Sequence, residues 1–88
     1  MTLTDTQTAA LEGAGREIAR GWLDVCDADT GSPDPSYDFG EHGDWRYVRT
    51  VAVQADVDWD LTDPQPPLEI HDALWAAVRR GYQAELAR

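Results

Sequence analysis

His42, His71 and Arg49 are the side chains in this sequence best placed to do chemistry. His42 sits between Glu41 and Asp44, and His71 sits beside Asp72 with Glu69 two residues earlier. An imidazole next to a carboxylate can serve as a general base or a metal ligand. Arg49 stands out for a different reason: it falls in an otherwise apolar phase between Tyr47 and Val51. An arginine facing inward needs a carboxylate partner, because an unpaired buried charge is costly, and Glu17 and Glu69 are candidates. A bulge could instead shift the phase and expose it. Its planar fork could also line a pocket and hold an anionic group. If Arg49, His42 and His71 converge, they define a ligand-binding cleft.

The other constellations carry less. Asp56, Asp58 and Asp60 alternate as at the start of a calcium loop, but the sixth and twelfth positions are Leu61 and Pro67 rather than Gly and Glu. Asp27 and Asp29 fail the same test, with Ser32 and Asp38 at those positions. The two histidines match no zinc spacing. Cys26 is the only cysteine and is surrounded by Asp24, Asp27 and Asp29. A thiolate nucleophile needs an electropositive setting, so Cys26 reads as a small core residue. No catalytic residue, metal site or cofactor is assigned. Trp22, Trp45, Trp59 and Trp75 read as the packing mass of a small core.

Charge narrows the range of partners. Seventeen acids face seven bases for a net charge of -10, and every base is arginine. At low salt such a chain repels itself. Molar salt shortens the Debye length to about 3 Å and removes most of that repulsion. The pattern predicts adaptation to a salt-rich cytoplasm. It also excludes nucleic acid and membrane surfaces as partners, since no basic patch exists. No apolar run approaches the ~20 residues needed to cross a bilayer. The N-terminus lacks the charged and apolar regions of a secretory signal.

The elements that must position these residues follow from periodicity. The 88 residues suffice for one domain, 1–88. Residues 5–26 read as a helix, opened by Thr4-Asp5-Thr6-Gln7 in capping-box form. Leu11, Ala14, Ile18, Trp22 and Val25 share one face of it. Residues 27–44 are rich in Asp, Gly, Pro and Ser, with a short strand at Tyr37–Phe39 and a turn at 41–44. Residues 45–61 alternate strictly: Trp45, Tyr47, Arg49, Val51, Val53, Ala55, Val57, Trp59 and Leu61 share one phase, as in a half-buried strand. A straight strand of that length would span roughly 56 Å, so a bend near Gln54-Ala55 is expected. A second helix over 67–87 carries Ile70, Leu74, Val78, Tyr82 and Leu86 as a stripe. The ridge Ala73-Ala77-Gly81 beside it suits close packing against the small residues of the first helix.

These readings predict an α+β fold, ordered α-β-β-α with the second β element divided or bent, and two helices on one face of a small antiparallel sheet. They also predict a non-enzymatic cytoplasmic protein that acts through protein–protein contacts. The long strand lacks a partner within the chain, and an unpaired edge invites another chain, so a homodimer is expected. An unidentified protein partner is a further candidate. The alternative is a small-molecule-binding or metal-assisted enzyme subunit with its cleft near Arg49, His42 and His71.

Overall fold

The computed structural model describes residues 2–25 and 44–87. Three helices follow in order: α1 (Asp5–Val25), α2 (Trp45–Gln54) and α3 (His71–Leu86). There is no strand among the described residues. The expected α+β sheet is therefore corrected to a three-helix arrangement. The Tyr37–Phe39 strand and the 41–43 part of the turn lie outside the described residues.

The helix α1 begins as its sequence dictates. The Thr4 hydroxyl accepts the Gln7 N–H at 3.0 Å, and the Gln7 side chain accepts the Thr4 N–H at 2.9 Å. This reciprocal pair satisfies two donors that the first helical turn leaves open. Leu11, Ala14, Ile18 and Ala19 are buried on the face that meets α3 and α2.

The largest error falls on residues 45–61. They form the helix α2 and then an irregular segment. Val48 and Ala52, four apart, are completely buried, which is a helical stripe. The apolar phase of the alternation splits between inside and outside, with Tyr47 and Val53 exposed and Trp45 and Val51 half-buried. Tertiary burial of one face overrides the strand preference of the β-branched residues. Asp56 then ends the helix. It takes the left-handed conformation (φ 69°). Its N–H bonds to the Val53 carbonyl at 3.0 Å, and the Val57 N–H reaches the Ala52 carbonyl at 2.9 Å. This is a Schellman cap, with Val57 buried beside Ala52 in the same cluster. The strand-edge argument for a homodimer falls with the strand.

The helix α3 starts at His71, after a turn in which the Ile70 N–H bonds to the Pro67 carbonyl. Ile70, Leu74, Val78 and Tyr82 are buried as their spacing predicts. The small-residue ridge does bring α1 close, through Gly81 as expected, while the matching glycine on α1 is Gly15 rather than Gly21. A Cβ at Gly15 would sit 1.9 Å from the Val78 carbonyl oxygen, and one at Gly81 would sit 1.8 Å from that of Glu12. Both glycines are required because backbone meets backbone there. A Cβ at Gly21 would meet nothing within 4 Å, and Ala73 is exposed. Ion pairs flank the crossing. Arg80 lies 3.6 Å from Glu12, and Arg20 bonds Glu85 at 3.1 Å and also pairs with Glu17. Glu85 is the one buried charged residue among those described, and Arg20 supplies the opposite charge it needs.

Residues 57–70 wrap back to the start of α3. Trp59 is buried, its ring edge-on to Trp75 at 6.0 Å, and its indole N–H donates to the Asp63 carbonyl at 2.8 Å. No helix among the described residues is long and apolar enough to cross a membrane.

Candidate functional site

An open apolar trough lies between the C-terminal half of α1 and the start of α2. It measures about 460 Å³ and is lined by Glu17, Ile18, Gly21, Trp22, Asp44 and Tyr47. The spacing 17, 18, 21, 22 puts four of these on one strip of α1. Trp22 and Tyr47 are 37% and 42% exposed, although both belong to apolar patterns that predict burial. Gly21 contributes an empty floor, since a Cβ there would meet nothing within 4 Å. Among the described residues the charged ones lining the trough, Glu17 and Asp44, are both carboxylates.

Two other depressions are more polar or smaller. One of about 590 Å³ lies over the proline-rich segment, between Asp58, Asp60 and Asp63 on one side and Gln65 and Leu68 on the other. Asp60 is tied down locally: its carboxylate accepts the Thr62 N–H at 2.9 Å and the Thr62 hydroxyl at 2.8 Å. The Thr62 backbone N–H, then its hydroxyl and the nearby Arg49 charge, hold the Asp60 carboxyl below the ordinary aspartate value. Asp63 likewise caps the turn, accepting the Gln65 N–H at 3.0 Å. Among the described residues no three His, Cys, Asp or Glu side chains are grouped to hold a metal. The third depression, about 200 Å³, lies by Leu3, Gln7 and Ile70.

Arg49 and His71 have separate partners. The Arg49 guanidinium lies over the Trp45 ring, 4.9 Å from its centroid, and donates to the Leu61 carbonyl. It is half-buried on a helix, so the question of an inward charge on a strand does not arise; it meets a ring and a carbonyl, and the acid that feels its charge is Asp60 rather than Glu17 or Glu69. Arg46 lies over the same ring at 5.3 Å. His71 faces Asp72 and Gln65 at 3.0 Å each. Neither Arg49 nor His71 lines any of the three depressions. His42 and Cys26 lie outside the described residues.

Sequence reasoning placed Trp22 and Val53 in the core, and both are more than a third exposed. The one signal for the trough was Gly21, a glycine inside a helix with no packing need, next to a large aromatic residue. No family model matches this chain, nor does any curated protein or solved structure.

Proposed function

We propose that this is a non-enzymatic protein of a salt-rich cytoplasm that acts through protein–protein contacts. Its α1–α2 trough receives a helical segment of a partner with an apolar face and basic flanks. One observation carries this reading: Trp22 and Tyr47 stand exposed on either side of an open apolar trough whose charged lining among the described residues is acidic. Exposed aromatic residues set in a concavity are the typical anchors of binding energy. Lysine or arginine on the partner would be drawn by the chain's net charge of -10. A second copy of the chain suits the trough less well, because it brings the same excess of negative charge to the contact. In molar salt, apolar burial supplies the affinity, while contact-range charge pairs select the partner.

The test is a resonance-by-resonance titration in 1 M KCl, using a leucine/lysine amphipathic helical peptide and a leucine/glutamate peptide of identical spacing. The lysine peptide should shift Ile18, Gly21, Trp22 and Tyr47, and the glutamate peptide should shift none of them. Equal binding of both peptides, shifts centred elsewhere, or a trough already filled by self-association in sedimentation equilibrium would reject the reading.

A further inference from the structure

The segment 60–67 is fastened to the helices at both ends. Arg49 donates to the Leu61 carbonyl, and at the other end His71 reaches Gln65. The second fastening has an unusual demand. The His71 Nδ1 lies 3.0 Å from the Asp72 carboxylate, and its Nε2 lies 3.0 Å from the Gln65 side-chain oxygen. Both neighbours are hydrogen-bond acceptors. A neutral imidazole has one N–H and can satisfy one of them, whereas an imidazolium has two and satisfies both. Two carboxylates lie on the elements that meet at the ring. Asp72 faces it from α3, and Asp63 stands behind Gln65, whose backbone N–H it accepts at 3.0 Å.

We propose that His71 is a pH-sensitive clip that binds the 60–67 segment to the start of α3 when protonated and releases Gln65 when neutral. The sign follows from the donors. The neutral ring keeps its one N–H on Nδ1, because the Asp72 carboxylate is a stronger acceptor than an amide oxygen, so the Gln65 bond is complete with the imidazolium and is lost when the second proton leaves. The consequence travels along the segment, because Asp63 joins Gln65 to the buried Trp59 indole through its carbonyl. Leu68, 89% exposed, and the exposed Leu61 ride on the same stretch. Release therefore loosens an apolar and acidic surface separate from the α1–α2 trough, and the clip does not depend on the trough's binding a partner.

Histidine is the side chain that changes charge between about pH 5 and 8, so the test follows the Trp59 indole N–H and Gln65 amide resonances across that range. The wild-type protein should show one step at both positions. The step should disappear in His71→Gln and persist in His42→Gln. In Gln65→Leu the Asp72 resonance should still respond while the Trp59 step is lost. A Trp59 step that survives in His71→Gln would overturn the clip. So would a wild-type response confined to His71 and Asp72, which is the result expected if the Gln65 amide turns over to suit the neutral ring.

Discussion

Gly81 and Gly21 occupy opposite situations on the same small molecule. At Gly81, as at Gly15, two helix backbones touch, and no side chain fits between them. At Gly21 the space beyond the helix is open, and the neighbouring aromatic residues stand away from the core. The α1–α3 crossing is sealed by Leu11, Leu74, Val78 and Tyr82 and closed at its flanks by Arg20 with Glu85 and Arg80 with Glu12. Among the described residues the α1–α2 trough has only Ile18 buried along its length, and its charged lining is acidic. A chain of 88 residues has little apolar surface to spare for its core. Exposed Trp22 and Tyr47 are thus either a cost to this fold or a surface kept for something else.

The sharpest way to break this comparison is Gly81→Ala. The new methyl group would overlap the Glu12 backbone, which no side-chain rearrangement can relieve. The expected loss is about 3 kcal/mol or more, at or beyond the upper end for ordinary overpacking, read from urea denaturation. Wild-type stability in that variant would mean the helices do not cross as described.

Salt comes next, and acts on the acidic surface rather than on the crossing. With a net charge of -10 and no lysine, the melting temperature should rise steadily from 0.1 M to about 3 M KCl as repulsion is screened. A flat or falling curve would remove the salt-rich setting.

A smaller effect of opposite sign is expected at Gly13. A Cβ there meets nothing, so Gly13→Ala should stabilise the helix by about 0.5–1 kcal/mol. Destabilisation would show that α1 carries a contact on that face. Acid should loosen the turn at Asp60. Its carboxyl is held below the ordinary value, so its contribution is present above the unfolded value and fades as pH falls through the folded one.

Two of the three helices were legible in the sequence because local and long-range signals agree there. In α1 the Thr4–Gln7 capping box and the Leu11–Ile18 stripe point the same way, and in α3 the four-residue stripe from Ile70 does. The helix α2 was hidden because ten residues can satisfy two periods at once. Trp45, Tyr47, Val51 and Val53 fit a strand, while Val48 and Ala52, or Trp45 and Arg49, fit a helix equally well. Only packing against α1 decides between them. The stop at Asp56 was equally obscure, since the left-handed position of such a cap is usually filled by glycine or asparagine. Beyond Gly21, nothing in the sequence marked the trough. Tyr47 and Trp22 lie about 25 residues apart in sequence, and their exposure follows from how α2 sits on α1.

The division between a crossing that holds the fold and a trough that holds a partner is tested most directly at Tyr47. The Tyr47→Ala variant should be measured twice, by urea denaturation and by titration with the leucine/lysine peptide. We expect stability within about 0.5 kcal/mol of wild type, the usual range for an exposed site, together with an affinity at least tenfold weaker. A stability loss of about 2 kcal/mol or more with unchanged affinity would contradict the account, because it would make Tyr47 part of the core and the trough a fault in packing.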